Sequence, residues 1–148
     1  MERNSTIQQI TDLLTSRNIK CNAEYFALHY SQNKVHSINE LTNESLSNLL
    51  KALKDFTSAA LHLGIYQIAK ELGWTNGELA TEANDVKIIE ELKSMNIISQ
   101  DGLFSITNYP GKSDFIIYPP LAYMPWIVLF VLSVEIGNVY MKRLELLN

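Results

Sequence analysis

The segment Phe115–Val134, FIIYPPLAYMPWIVLFVLSV, contains no charged side chain over 20 residues. A charge-free run of this length has to be kept from water, either in a membrane or inside protein. Prolines at positions 119, 120 and 125 divide it and leave Trp126–Val134 as its longest unbroken apolar stretch. That stretch is well short of the roughly 20 residues that a membrane helix requires. The run therefore does not predict a membrane span.

The same run instead predicts a strand that ends near Tyr118 and a helix that begins near 120–124. This helix is apolar on most of its circumference, and such a helix is buried on all sides, in a core or in an oligomer interface. In a chain of 148 residues, we expect the interface.

Composition limits the class of protein. The apolar fraction of 47% in 148 residues is typical of one ordinary globular domain. A formal net charge of −4 provides no bulk positive field for phosphates or anionic lipid. Cys21 is the single cysteine, which excludes an internal disulfide and suits a reducing compartment. The polar N-terminal sequence MERNSTIQQI has no apolar core of a signal peptide, so we expect a cytoplasmic protein.

The periodicity predicts a mainly α fold with a small β-hairpin, in one domain over 1–148. Its parts are an N-terminal helical extension (1–43), a winged helix-turn-helix core (44–118) and a C-terminal interface helix (119–148). The apolar period from Glu44 to Ala60 meets no helix breaker, which predicts the longest helix there. The next apolar stripe, Leu61 to Leu72, ends at Gly73, which is placed to terminate that helix in the left-handed conformation.

The stretch after Gly73 has the order of a winged helix. Thr75 and Glu78 form a capping box, which predicts a short helix from Asn76 to about Ala83. Asn84 or Asp85 is expected to cap the following helix. The hairpin is predicted from an Asp101-Gly102 turn, a strand with Phe104 and Ile106 inward, a Pro110-Gly111 turn and a second strand over Phe115–Tyr118.

In a DNA-reading winged helix, the outer face of the helix after Asn84 would enter the major groove. The predicted inner face consists of Val86, Ile89, Leu92 and Met95, and the outer face of Lys87, Glu90, Glu91 and Ser94. Two carboxylates would then oppose the phosphates, and the hairpin adds only Lys112 as a cation. We therefore expect no nucleic-acid binding, and a transcription regulator is kept as an alternative.

Four pieces in this order resemble the N-terminal winged-helix dimerisation domain of SAM-dependent small-molecule O-methyltransferases. They are ALHLGIYQIAKELG (Ala60–Gly73), TNGELATEA (Thr75–Ala83), DVKIIEELKSMNIIS (Asp85–Ser99) and DGLFSIT (Asp101–Thr107). In that family the domain joins two protomers and forms one wall of the substrate pocket. The resemblance implies a dimerisation or docking module of the substrate-lid type, and a methyltransferase if the chain belongs to a larger assembly.

No cofactor is expected for this chain alone. The methyltransferases hold SAM in a separate α/β domain through a glycine-rich loop, because the backbone must approach the cofactor closely. The six glycines of this chain lie too far apart to form such a loop. We therefore expect neither SAM binding nor methyl transfer from these residues.

The sequence predicts no catalytic and no metal-binding residue. His29, His36 and His62 lack the three- or four-residue spacing of paired metal ligands. The candidates for an interface or a pocket are Tyr118, Tyr123, Trp126, Phe130, Ile65 and Tyr66, since aromatic side chains dominate interface energetics.

The preferred hypothesis is a non-catalytic module that forms a homodimer or docks onto a partner protein. A small hydrophobic ligand is a further possibility, and membrane binding is not expected. Acidity and small size also permit an immunity or antitoxin-like protein that blocks a basic toxin.

Overall fold

The computed structural model describes residues 2–76, 82–106 and 113–147. Within these ranges the chain forms six α-helices and one two-stranded antiparallel hairpin, with 70% helix. This confirms the predicted mainly α fold with a small hairpin. The described residues group into two compact units. One is drawn from Met1–Phe56 and Ile106–Ser113, and the other from Thr57–Ser105 and Asp114–Asn148.

The first unit contains three helices, α1 (Glu2–Ser16), α2 (Ala23–Tyr30) and α3 (Asn43–Asp55). α3 packs against both α1 and α2, because each helix turns an apolar stripe inward. Side chains of these stripes that are fully buried include Ile10, Phe26, Leu46, Leu49 and Leu53. Arg3 ties the start of α1 to α3, since its guanidinium donates a hydrogen bond to Asn43 Oδ1 at 2.7 Å.

A break separates α3 from the next helix, α4 (Ser58–Glu71). The prediction of one long helix over Glu44–Ala60 is therefore wrong. Thr57 is the N-cap of α4, with extended backbone and a hydroxyl that accepts a hydrogen bond from the Ala60 amide at 3.0 Å. By accepting this hydrogen bond, the Thr57 hydroxyl favours the start of a new helix over the continuation of α3. The apolar period alone does not reveal this break.

The second unit holds α4, α5 (Glu82–Ser94), most of β1 (Leu103–Ile106) and β2 (Ser113–Ile116), and α6 (Trp126–Leu147). The longest described helix is α6, and it packs chiefly against α4. All six side chains of Ile127–Leu132 are buried within the chain. They are therefore not exposed to a partner, contrary to the expectation that an interface would cover this helix.

Helix α5 begins earlier than predicted and turns a partly different set of side chains inward. It includes Glu82, so Asn84 and Asp85 lie inside the helix and are buried. The described inward face consists of Asn84, Asp85, Ile88, Ile89 and Leu92, whereas Val86 and Met95 are 43% and 38% exposed. The predicted apolar stripe was therefore wrong at these two positions. Asn84 and Asp85 occupy the inward face in the first turns of the helix, and this rotates Val86 towards solvent. The short helix predicted over 76–83 lies mostly outside the described residues.

The predicted outer face of α5, which would face DNA in a DNA-reading winged helix, is at the surface. Lys87, Glu90 and Ser94 are exposed, and Glu91 is half-buried. Gly73 has the expected left-handed backbone, with φ of +78°, and Gly102 in the predicted turn has φ of +85°.

Candidate functional site

The six candidate residues are divided between core and surface. Ile65, Tyr66 and Phe130 are 0%, 2% and 3% exposed, so they belong to the core of the chain. Trp126 is half-buried, and its ring stacks on that of Phe130 with centroids 5.1 Å apart. Tyr118 and Tyr123 are 57% and 82% exposed. Of the predicted set, these two tyrosines are the ones available for contact with another molecule.

The register of the hairpin shows what lies beside these tyrosines. The Ile117 amide donates to the Gly102 carbonyl at 2.8 Å, and the Ser105 hydroxyl donates to Asp114 Oδ1 at 2.7 Å. This register pairs residue 103 with residue 116 across the strands. Strand β2 begins two residues before the strand predicted at 115–118. Side chains of a directly opposed pair are in contact range. Residues 103 and 116 therefore form one apolar cross-strand pair.

This pair is exposed to solvent, because strand residues alternate between two faces. Phe104, Ile106 and Ile117 are buried on one face, as the sequence predicted for 104 and 106. Leu103 and Ile116 lie on the other face and are 39% and 65% exposed. Neither Leu103 nor Ile116 was predicted as a site residue, although the alternation of the strand could have identified Leu103 as an outward apolar residue.

We define the hairpin patch as Leu103, Ile116, Tyr118 and Tyr123. Tyr118 lies two residues beyond Ile116 and keeps the same alternation, with Ile117 buried between them. Tyr123 closes a short 3-10 turn that follows on the same segment. The patch therefore consists of one exposed side chain on β1 and three exposed side chains between Ile116 and Tyr123.

A buried polar cluster anchors this segment. The side chain of Asp85 is 2% exposed, and its two oxygens accept hydrogen bonds from the Tyr66 hydroxyl and, at 3.0 Å, from the Leu121 amide. Burial, and next the hydrogen bond and charge of Asp85, raise the pKa of the Tyr66 phenol. The phenol therefore stays protonated as a donor at neutral pH. The cluster ties α4, α5 and the turn at 121–123 together, because each carboxylate oxygen of Asp85 accepts one of these hydrogen bonds.

His62 lies beside this cluster. Its ring meets the Tyr66 ring edge-on with centroids 4.8 Å apart. Its Nε2 atom is buried and makes no hydrogen bond within the described chain. The contact with Tyr66 contributes to the packing of the His62 ring.

The remaining titratable residues form no larger site in the described ranges. His36 Nδ1 pairs with Glu24 Oε1 at 2.6 Å on the surface, and Cys21 is exposed. Across the described residues, no group of three or more His, Cys, Asp or Glu side chains could hold a metal ion. The described helices include none whose length and apolar character together would allow it to cross a membrane.

Comparison of the chain with models of protein families, with curated proteins and with solved structures found no match.

Proposed function

We propose that this chain is a non-catalytic winged-helix module that associates with a second copy of itself through the hairpin patch. The observation that carries the proposal is the exposure of four apolar or aromatic side chains on the hairpin and the turn that follows it, namely Leu103, Ile116, Tyr118 and Tyr123. Tyrosine is enriched in protein interfaces, and the buried core of an interface is more apolar than the rest of the surface. The chain order of α4, α5, β1 and β2 agrees with a winged helix, and the O-methyltransferase domains that the sequence resembles use theirs to join protomers.

The size of the patch sets the expected strength of the contact. With about 200 Å² for each tyrosine side chain, the exposed fractions of Tyr118 and Tyr123 present roughly 250–300 Å². The aliphatic pair extends the patch to about 500 Å², which is within the usual range for a functional surface. Two copies would then bury about 1,000 Å², near the lower limit of a specific interface. We therefore expect a weak, concentration-dependent dimer.

The hairpin patch is an uncharged surface on an acidic chain. The chain has a net charge of −4, so two copies repel each other wherever acidic surfaces meet. The four residues of the hairpin patch are uncharged, and the nearby Asp114 carboxylate accepts the hydrogen bond from Ser105. A surface that blocks a basic toxin would need carboxylates at its centre. The patch instead allows apolar contact without opposed charges. We propose the cytoplasm as its compartment, because the exposed thiol of Cys21 suits a reducing environment.

Sedimentation velocity over a range from low micromolar to submillimolar protein tests this proposal. We expect reversible dimerisation, weakened about tenfold or more by Ile116→Ser or Tyr123→Ser. Leu63→Ser is the matched control, because Leu63 is a similarly exposed aliphatic residue, at 41%, on α4 and outside the patch. Circular dichroism checks that each variant is folded. A wild-type monomer at every concentration, or an equal loss in Leu63→Ser, would contradict the proposal.

A further inference from the structure

A second surface of the same unit has a different character. The end of α5 and the second half of α6 enclose a groove of about 540 Å³. Its walls include Met95 and Ile97 from the α5 side, and Met141 from α6, and Glu135 contributes a carboxylate. No residue of the hairpin patch lines it. The groove therefore goes beyond the proposed self-association.

Glu135 is the informative residue of this groove. It is half-buried, and within the described chain its carboxylate makes no hydrogen bond and no ion pair. Burial raises the pKa of this carboxyl group above its ordinary value. A partly desolvated carboxylate without a partner is unfavourable for the folded chain. Its presence at the wall of a groove is understandable if a ligand supplies the missing positive charge.

The other residues that line the groove indicate what kind of ligand would carry this positive charge. Met95 and Met141 are 38% and 56% exposed, and flexible, polarisable methionine side chains adapt to apolar ligands of different shape. The charged residues that line the groove with Glu135 are Lys142 and Glu145, both on α6. Two carboxylates and one ammonium leave one net negative charge. The groove therefore matches a body that is apolar and carries a single positive charge.

We propose that this groove binds a small amphiphilic amine, with its ammonium group at Glu135 and its aliphatic or aromatic body against Met95 and Met141. The volume of about 540 Å³ is within the range of small-molecule sites. An ammonium that reaches a partly desolvated carboxylate gains more than it would at an exposed one, because the local dielectric constant is lower.

Isothermal titration calorimetry of the full chain with n-octylammonium tests the proposal, with 1-octanol and octanoate as neutral and anionic probes of the same body. We expect saturable 1:1 binding of the ammonium and at least tenfold weaker binding of both other probes. Glu135→Gln should weaken binding of the ammonium at least tenfold. Glu90→Gln, a control at an exposed carboxylate of α5 that does not line the groove, should change it less than threefold.

The outcomes separate the proposal from simple adsorption. Equal binding of 1-octanol and n-octylammonium would show that the apolar body alone is recognised, and would overturn the proposal. An unchanged affinity in Glu135→Gln, or an equal loss in Glu90→Gln, would overturn the role of Glu135. Glu135→Gln removes an unfavourable charge and keeps the side-chain volume, so loss of binding with a preserved circular dichroism spectrum will not reflect unfolding.

Discussion

Replacement of Tyr66 by phenylalanine should destabilise the second unit through one lost hydrogen bond. The Tyr66 hydroxyl donates to Asp85 Oδ1, while the Leu121 amide occupies Oδ2 at 3.0 Å. With Asp85 only 2% exposed, water does not replace the missing donor. A hydrogen bond to a charged group contributes about 1.5–3 kcal/mol, so we expect a loss of that size in the free energy of unfolding.

Urea denaturation followed by tryptophan fluorescence measures this loss. Both tryptophans, Trp74 and Trp126, lie in the second unit, so their fluorescence reports on the unit that contains Tyr66. With a slope of about 2 kcal/mol per molar urea, Tyr66→Phe should lower the midpoint by about 1 M. Tyr140→Phe is the matched control, because Tyr140 is half-buried on α6 and its hydroxyl makes no hydrogen bond within the described chain. The control should change stability by less than about 0.5 kcal/mol.

A double-mutant cycle with Asp85→Ala tests the physical cause. If the hydroxyl acts through the carboxylate, removing both groups should cost less than the sum of the single losses, with a coupling of about 1 kcal/mol or more. A coupling near zero, or a Tyr66→Phe effect no larger than that of Tyr140→Phe, would refute the assignment of Asp85 as the anchor of this segment.

Substitutions at four further sites have defined effects on stability. Gly73→Ala should destabilise by about 1 kcal/mol because of its positive φ, whereas Gly64→Ala inside α4 should stabilise by about 0.5–1 kcal/mol. Neither site has an atom within 4 Å of a new Cβ, so equal signs in thermal denaturation would contradict the backbone argument. Thr57→Ala should cost about 1 kcal/mol by removing the N-cap of α4, and Thr57→Ser should restore most of it. Burial raises the folded-state pKa of Glu135 above its ordinary value of 4.5, so the charged form is disfavoured in the folded chain. Glu135→Gln should therefore stabilise the chain at pH 7, and this gain should disappear as the pH falls through the raised pKa towards 4.5. A gain that persists at low pH would contradict this cause.

The candidate site was predicted only in part. Aromatic residues near the start of α6 were identified by type, and Tyr118 and Tyr123 are indeed on the surface. Phe130 was identified by the same rule and is buried, because α4 packs against α6. Amino-acid type indicates how favourable burial would be, but it does not indicate which element provides the cover. Glu135 was not identified, because only the tertiary structure shows that its half-buried carboxylate lacks a hydrogen-bond or ion-pair partner in the described chain.

Much of the local structure follows from residues that are close together in the chain. Periodic apolar residues, the glycine at position 73 and the alternation at 104 and 106 depend on neighbours a few residues away, so helices, a helix end and a hairpin followed from them. The tertiary structure decided which faces are covered. Asp85 is inside the chain because Tyr66 and the Leu121 amide, 19 and 36 residues away, provide its hydrogen bonds. Ile116 is outside because nothing in the described chain covers its face of the hairpin. Burial is a property of contacts between distant segments, and no local pattern contains that information.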